Sequence, residues 1–299
     1  MNPNYAPYEK RKADTQYKHN LRRVLKRGQL TGNPFQTQKT LTHLTLPAMN
    51  FKLANGFPLI TERKASFWRA PIGELLAFIH GARTIEELDS WGCKWWDKWA
   101  TPEKCADFGL PPGDLGPGSY GAAFHDFPMP NGGTWNQFEA VIKQIKALPS
   151  LRTHLVTSWI PFYSVGDNRK VVVAPCHGNM IQITVINGKL TLRMVQRSGD
   201  FPIGVPSNMV QYAALTIMIA HVTGYEPYMY IHQVNDAQMY LDQEEQVRGI
   251  VSRETVPYPT LRLTAEGLKV TDLFDFRPEH FELSDYHPGP AIPGIPATI

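Results

Sequence analysis

The chain has 299 residues, of which 42% are hydrophobic and 19% charged, a composition that allows a sizeable folded core. Its formal net charge is +3, and lysine and arginine are spread along the chain, so the composition indicates neither nucleic-acid nor membrane binding. The three cysteines form no CxxC pair, which argues against a disulfide framework or a metal site. We therefore expect a protein of a reducing, cytoplasmic compartment, without a signal peptide or membrane span.

The first half of the chain predicts helices separated by irregular stretches. Residues 1–30 are polar and basic and predict a mobile start followed by a helix. The stretch FKLANGFPLITE places Asn55-Gly56 between apolar runs, which predicts a hairpin. The apolar spacing in APIGELLAFIHGA predicts a helix that contains Glu74 and ends near Gly81. Glycine and proline are frequent in residues 101–120, which predicts a long loop that is either functional or disordered.

The second half of the chain carries the clearest strand pattern. VVVAP predicts a short apolar strand, and IQITVINGKLTLRM alternates around Asn187-Gly188, which predicts a hairpin with a two-residue turn. Before them, TWNQFEAVIKQIKAL predicts an amphipathic helix. After them, NMVQYAALTIMIAHVTG is apolar nearly all round and predicts a buried central helix that ends at Gly224. The proline-rich tail YHPGPAIPGIPATI is incompatible with a helix or a ladder strand.

A cysteine and a histidine follow the VVVAP stretch. Taken alone, Cys176 is more often a small core residue, and His177 an imidazole satisfied by backbone or water. Arg197 lies at the far end of the predicted hairpin and so returns close to Cys176, where it can lower the thiol pKa and hold a phosphate. Asn208 stands at the expected start of the buried helix, where it either caps the helix or contacts a polar ligand.

Several motifs occur together in one order: FPLITERK, GELLAFIHG, WDKWA, GDLGP, APCH, QRSGD followed by GVPSN, NDAQMY, and a terminal YHPGP with IPATI. By these motifs the chain resembles the thymidylate synthase family from about Phe51 to Ile299. The resemblance implies an α/β fold in a single domain, residues 1–299, with a large mixed β-sheet, helices over one face and homodimerisation through the other. Residues 1–30 would be a polar N-terminal extension and residues 286–299 a tail that closes over the site.

The resemblance also implies a chemistry. Cys176 adds to C6 of a uridylate, dUMP, and C5 then attacks the one-carbon unit of the co-substrate 5,10-methylenetetrahydrofolate. Glu74 relays protons through water near C4, and Tyr120 with ordered water helps to remove the C5 proton. His177 and Arg197 complete the implied catalytic set, together with the asparagine that contacts the base.

Binding roles follow from the same resemblance. Asn208 offers a donor and an acceptor that match O4 and N3–H of uracil, whereas the branch of the family acting on deoxycytidylate has a carboxyl group there. Arg152 is implied to reach across a dimer interface to the other subunit's phosphate. The implied nucleotide-binding residues are Arg152, Gln196, Arg197, Ser198, Asn208, Gln238 and Tyr240. The implied folate-binding residues are Trp96, Trp99, Asp200, Gly204 and Ile299, with Asp200 on the pterin.

The nucleotide pocket departs from the family pattern at several positions. The family's N-terminal arginine has no clear counterpart, and Gln36, Lys39 and Arg27 are the candidates for its role. Thr153 stands where a second arginine is usual. The other departures are Gln238 for a histidine, Ser207 for a phenylalanine, and an extra residue at Gly118-Ser119. Because these changes surround the ligand, they favour a specialised homologue, such as one that makes a modified pyrimidine.

Three functions stay open at this point. Reductive methylation to dTMP is the expected one, because Asn208, His177 and Trp96 follow the synthase pattern. A 5-hydroxymethylase acting on dUMP or another pyrimidine nucleotide would share the first steps and add water in place of hydride. The altered phosphate residues also allow a non-catalytic nucleotide-binding homologue, although the intact catalytic set argues against it.

Overall fold

A computed structural model describes residues 1–33 and 38–297 of the chain. The strands are β1 (Gln29–Thr31), β2 (Thr40–His43), β3 (Met49–Lys52), β4 (Phe127–Pro128), β5 (Thr134–Trp135), β6 (Leu155–Val156), β7 (Met180–Ile186), β8 (Lys189–Asp200), β9 (Glu226–Tyr240), β10 (Thr260–Leu263) and β11 (Phe281–Ser284). The α-helices are α1 (Gln16–Arg27), α2 (Arg69–Ile79), α3 (Ile85–Ser90), α4 (Pro102–Ala106), α5 (Tyr120–His125), α6 (Gln137–Ala147), α7 (Pro161–Ser164), α8 (Gly204–Thr223) and α9 (Glu244–Ser252).

Most strands lie in one mixed sheet. Among the described residues its order is β1-β2-β9-β8-β7-β6, and β3 pairs with another stretch of β9. β8 and β9 are parallel, whereas the other pairs in this sheet are antiparallel. The long helix α8 connects the two parallel strands and packs against both. This is the α/β fold with a large mixed sheet that the sequence predicts.

The predicted hairpin is confirmed as β7 and β8. Ile183 pairs with Leu192, and both side chains are fully buried on the face that α8 covers. Asn187 and Gly188 have positive φ angles of 51° and 74°, which a two-residue turn of this kind requires. On the other face of the hairpin the side chains are only partly buried, as Arg193 is, so this face is free to meet another surface.

The predicted helices around the core are confirmed as α2, α6 and α8. α8 is apolar nearly all round because β8, β9, α2 and α6 enclose it, and it ends at Gly224, whose φ is 80°. The helix begins at Gly204, because Pro206 fits in a first helical turn, where its missing N–H is not needed. Asn208 therefore lies inside the helix, and its interpretation as an N-cap is wrong.

The hairpin expected at Asn55-Gly56 is wrong, since a 3₁₀ turn follows β3 there. Asn55 holds the N-terminal segment instead: its Oδ1 accepts from the Lys12 amide and its Nδ2 donates to the Lys12 carbonyl, both at 2.9 Å. Gly56 has a φ of 117°, and a Cβ there would lie 2.7 Å from the Tyr258 carbonyl oxygen. The glycine therefore permits a close approach between two chain segments rather than a hairpin turn.

The strand expected in VVVAP is also wrong, because residues 171–175 are irregular. The Ala174 and Pro175 carbonyls each accept from the Arg197 guanidinium at 3.3 Å, and Pro175 also accepts from Asn179 at 3.1 Å. Carbonyls bonded to side chains are not available to a strand ladder, and proline has no N–H to contribute.

The two ends of the chain and the long loop at residues 101–120 follow the predictions only in part. The expected mobile start is packed: Arg11 is 8% exposed and donates to the Tyr258 carbonyl and to Thr260 Oγ1. The helix predicted after it is confirmed as α1. Residues 101–120 hold the short helix α4, which the sequence did not predict, and the tail is irregular through residue 297, as predicted. In the part of the chain that the structure describes, no helix has the length and apolar character to cross a membrane.

Candidate active site

A thiol and a phenol meet at the first residue of α5. The Tyr120 hydroxyl donates to Cys176 Sγ at 3.3 Å and accepts from the Cys176 amide at 2.7 Å. The Tyr120 ring stacks on Phe78 of α2, with ring centroids 4.7 Å apart, which fixes the phenol from behind. Burial raises the Tyr120 pKa well above its ordinary value, so the phenol keeps its proton and remains a donor to the sulfur.

Burial is also the main influence on the thiol. It raises the pKa of Cys176 above its ordinary value, and the nearby negative charge of Glu74 adds to the rise. The Tyr120 hydrogen bond and the positive charge of Arg197 act in the opposite direction. Arg197 therefore lowers the thiol pKa as expected, and the effect of burial outweighs it. A thiol with a raised pKa must lose its proton during the reaction in order to attack.

His177 is buried beside this pair. Its ring stacks on Tyr120 at 4.4 Å, and its Nδ1 lies 2.8 Å from the Tyr212 hydroxyl. Burial lowers the pKa of His177 to about 3, so the imidazole is neutral at physiological pH. The ring therefore supports the phenol by packing and does not act as a cationic partner of the thiolate.

Glu74 projects from α2 into a buried pocket of donors. Its Oε1 accepts from the indole N–H groups of Trp95 and Trp96, at 2.8 and 2.5 Å, and from the Cys93 thiol at 3.5 Å. Its Oε2 accepts from Gln211 Nε2 of α8 at 2.6 Å. Burial raises the Glu74 pKa, and these four donors oppose the rise because they stabilise the charged form. The direct contact with Gln211 occupies one acceptor position of Oε2, and the proton relay through water stays a prediction.

A chain of carboxamides continues from Glu74 to the end of β8. Gln211 Oε1 accepts from Asn208 Nδ2 at 2.9 Å, and Asn208 Oδ1 accepts from Gln196 Nε2 at 2.9 Å. Gln196 Nε2 also donates to the Ser198 carbonyl at 3.0 Å, and Gln196 Oε1 lies 2.8 Å from His232 Nε2. Burial lowers the pKa of His232 to about 3, so it enters this chain as a neutral ring. Each amide is held in one orientation.

The predicted phosphate residues are only partly gathered. The Ser198 amide donates to the Cys176 carbonyl at 3.3 Å, which confirms that the hairpin returns to the cysteine. Arg197 is exposed at the same end, where it binds the two carbonyls described above and lies 5.5 Å from the Trp159 ring centroid. Arg152 is exposed in the bend before β6 and does not belong to this cluster within one subunit.

A second carboxyl group closes the site on the side of the tail. Asp200 Oδ2 accepts from Gln243 Nε2 at 3.0 Å, and the same nitrogen donates to the Pro296 carbonyl at 2.8 Å. Asp200 Oδ1 is buried and has no hydrogen-bond partner among the described residues. Burial raises the Asp200 pKa to about 7. A Cβ added at Gly204 would lie 4.0 Å from Asp200 Cβ and from Asn208 Oδ1, so Gly204 lines the space between them.

The two tryptophans predicted to line the folate are placed differently. Trp96 is 8% exposed, and its indole N–H is used by Glu74. Trp99 is half-buried, with Lys104 Nζ 5.5 Å from its ring centroid, and does not contact Glu74. The face of Trp96 and the edge of the carboxyl pocket therefore form one surface, while Trp99 lies further out.

The two residues predicted to bind the sugar lie on β9, beside the end of β8. Gln238 is in register with Asp200, and its Nε2 donates to Asp236 Oδ2 at 2.9 Å. Burial raises the pKa of Tyr240 to about 12, and Asp200 and Cys176 are among the groups that add to the rise. Tyr240 is thus near both the thiol and the carboxyl group, with its hydroxyl protonated.

Two of the predicted residues lie outside the part of the chain that the structure describes, and two more are exposed. Ile299 and Gln36 lie outside the described residues, and Lys39 and Arg27 are exposed. Four further residues, none of them predicted from the sequence, bond to predicted site residues: Gln211, Trp95, Tyr212 and Gln243. A signal for Gln211 exists, because it is a polar residue in an apolar helix three positions after Asn208 and therefore on the same face.

Together the fold and this cluster have the form of an enzyme whose buried pocket contains a cysteine thiol and a carboxyl group. A family model described as thymidylate synthase matches residues 15–298 of the chain. The chain therefore belongs to the thymidylate synthase family. Members of this family are methyltransferase-type enzymes that transfer a one-carbon unit from methylenetetrahydrofolate to dUMP, and the chain is an enzyme of this general class.

Proposed function

We propose that the protein methylates C5 of dUMP to give dTMP through a covalent bond between Cys176 and C6. The observation that carries this proposal is the fixed orientation of the Asn208 carboxamide in the first turns of α8. Its Oδ1 and Nδ2 are each bonded to one neighbour, Gln196 and Gln211, and each retains one further hydrogen-bonding position. These two positions form an acceptor and a donor, which match N3–H and O4 of uracil.

The covalent step uses the thiol and the phenol. Cys176 gives up its proton, the sulfur electron pair forms the bond to C6, and the displaced π electrons move through C5 towards O4. The Tyr120 hydroxyl donates to the sulfur at 3.3 Å and so stabilises the thiolate before attack. The C5 proton then passes to a water molecule that accepts a hydrogen bond from, or donates one to, the Tyr120 hydroxyl beside the cysteine. The second N–H of Asn208 Nδ2 is a donor and so stabilises the negative charge that develops at O4.

The folate side fits a pterin. Asp200 Oδ1 is buried without a partner among the described residues, and such an atom requires a donor. The family's co-substrate supplies the one-carbon unit and, for methylation, the hydride. On this chain we assign Asp200 to hold the pterin edge, Gly204 to leave room beside it, and Trp96 to provide a flat apolar wall. Trp99 and the end of the tail, Ile299, extend this surface outwards.

Exclusion of water favours methylation over hydroxymethylation. Glu74 is 5% exposed, and its Oε1 accepts from three protein donors, so the carboxyl group is largely shielded from the water that would have to add to the exocyclic methylene carbon on C5. Gln243 ties the tail to Asp200 and so covers the folate side. Both features support a route in which hydride, and not water, completes the product.

We further propose that residues 1–299 act as one domain and pair as a homodimer through the uncovered face of β7 and β8. One continuous hydrophobic core, which includes side chains from α1 to β11, supports a single domain. Pairing through that face would bring the exposed Arg152 of one subunit towards the phosphate of the other, where it would supplement Arg197. A cytoplasmic location stays a prediction.

Two measurements test the proposed function. Incubation with dUMP and methylenetetrahydrofolate should give dihydrofolate, which is detected by its absorbance. The nucleotide product should have the mass of dTMP. A product of hydroxymethyl mass without dihydrofolate would establish the hydroxymethylase instead. Incubation with 5-fluoro-dUMP and the folate should add the mass of both to the wild-type chain and not to Cys176→Ala. No adduct on the wild-type chain would leave only a binding role.

A further inference from the structure

We propose that Gln211 is a positioning residue that ties the choice of base by Asn208 to the charge on Glu74. The proposal rests on the proposed function, because it concerns selectivity at the same pyrimidine site. Gln211 lies fully buried in α8, and its carboxamide spans the gap between the two residues. It donates to Glu74 Oε2 at 2.6 Å and accepts from Asn208 Nδ2 at 2.9 Å.

The Glu74 end sets the direction of the Gln211 amide. Oε1 of Glu74 accepts from the indoles of Trp95 and Trp96, which can only donate, so a proton on this carboxyl group must sit on Oε2. An ionised Oε2 can only accept. Gln211 therefore turns its Nε2 to Glu74 and its Oε1 to Asn208 as long as Glu74 carries its charge.

At the other end of the series of side-chain amides, Gln196 holds the Asn208 carboxamide in the same orientation. Gln196 Nε2 donates to the Ser198 backbone carbonyl, which can only accept, and the same nitrogen donates to Asn208 Oδ1. A flipped Asn208 would present the donor and acceptor pattern that suits cytosine. It would then place nitrogen against nitrogen at Gln196 and oxygen against oxygen at Gln211, and buried polar contacts of this kind are costly.

Protonation of Glu74 removes one of these two supports. A proton on Oε2 needs an acceptor, which Gln211 supplies only by reversing its amide. Reversal places Gln211 Nε2 against Asn208 Nδ2, so Asn208 is then held in the uracil orientation by Gln196 alone. The selectivity for uracil therefore depends on the ionised state of Glu74, and Gln211 is the side chain that carries this dependence.

Two substitutions separate this positioning role from mere packing. Gln211→Met keeps the length of the side chain and leaves both neighbours without a bond to it. Gln211→Glu places a second carboxyl group beside Glu74, and two adjacent carboxyl groups keep one proton between them at low pH. The protonated form can donate to Glu74 and accept from Asn208, as the glutamine does, and the doubly ionised form cannot.

The experiment measures the dissociation constants of dUMP and dCMP by calorimetry across the whole pH range in which the protein stays folded, because a carboxyl pair takes up and releases its shared proton in separate steps. We expect Gln211→Met to lower the preference for dUMP over dCMP at least about tenfold, as expected for the loss of one orienting contact. Gln211→Glu should keep the wild-type preference at the low end of the range and lose it at the high end. Gln137→Met is the matched control, because Gln137 is buried and bonds only to the Ala123 and Thr157 backbone, outside the site.

The outcomes distinguish the two proposals. Equal weakening of both nucleotides in Gln211→Met, or an unchanged preference, would overturn the positioning role while leaving the proposed function intact if 5-fluoro-dUMP still forms its adduct. If Gln211→Met does not fold, the pH dependence of Gln211→Glu decides, and a constant preference overturns the inference. A wild-type chain that binds neither nucleotide would overturn both proposals.

Discussion

The hydroxyl of Tyr120 lies 3.3 Å from Sγ of Cys176 and also accepts the Cys176 amide hydrogen at 2.7 Å. One phenol thus fixes both the side chain and the backbone of the proposed nucleophile. Burial raises the thiol pKa and this hydrogen bond lowers it. The bond therefore favours formation of the thiolate, which is the form that reacts.

Tyr120→Phe should therefore raise the pKa of Cys176 further and slow its alkylation. The reason is that the thiolate loses the hydroxyl that donates to it. We expect the pH at which iodoacetamide reacts at half its maximal rate to rise by about one unit, the scale of one charge-assisted hydrogen bond. Tyr258→Phe is the matched control, since Tyr258 is buried and its hydroxyl has no partner among the described residues. An unshifted alkylation profile in Tyr120→Phe would remove the phenol from thiolate stabilisation.

Asp200 gives the protein a pH-dependent stability. Burial raises its pKa from the ordinary 3.8 to about 7, so between these values the folded state binds more protons than the unfolded state. The Asp200 contribution to the free energy of unfolding therefore falls as the pH rises through this interval. Asp200→Asn lacks this titration and keeps an acceptor for Gln243. Between pH 4 and pH 8 it should gain up to about 4 kcal/mol relative to the wild type.

Urea unfolding of both proteins across this pH range measures the difference. Asp167→Asn, at an exposed position, serves as the control and should follow the wild-type curve. Parallel wild-type and Asp200→Asn curves would mean that Asp200 is ionised in the folded state at every pH tested. Such a result would also weaken the assignment of its unpaired Oδ1 to a folate donor.

Asn208→Asp should change the base that the site accepts. A carboxylate offers no donor to O4 of uracil, and it can accept from the exocyclic amine of cytosine. We expect the ratio of kcat/KM for dUMP over dCMP to fall by at least about 10²-fold, because a mismatched donor or acceptor in a buried site is strongly rejected. Steady-state assays with both nucleotides measure this ratio.

A matched change outside the site separates selectivity from stability. Asn20 is buried and donates to the Pro47 carbonyl at 3.0 Å, so Asn20→Asp should destabilise the fold without altering the ratio. If Asn208→Asp lowers turnover of both nucleotides in proportion, Asn208 does not read the base edge.

Arg152 tests the proposed shared site. Arg152→Glu and Cys176→Ala should each be inactive alone, because one lacks the phosphate contact and the other lacks the nucleophile. Mixed after dissociation and reassociation, they should recover about a quarter of the wild-type activity, since half of the dimers are mixed and each mixed dimer contains one intact site. Arg248→Glu, which removes only a surface pair with Glu244, should remain active by itself. Mixtures without recovered activity would place Arg152 outside the partner's site.

Local patterns predict those elements in which neighbouring residues decide the conformation. The β7–β8 hairpin follows from alternation and from Asn187-Gly188, and α8 follows from an apolar stretch that ends at Gly224. The same local reasoning fails at Asn55-Gly56 and at VVVAP. There the backbone partners are Lys12 and Arg197, which are distant in sequence, and a distant partner overrides a local preference.

The sequence by itself determined the membership in a family, the mixed sheet and several of the residues near Cys176, among them Tyr120 and Arg197. Only the tertiary structure decided their physical states: the neutral His177, the phenol bonded to the thiol, and the amide direction from Gln196 to Glu74. Hydrogen-bond direction and pKa depend on which donors and charges surround a group after burial. These surroundings come from α2, α5, α8 and β8, which only the folded chain brings together.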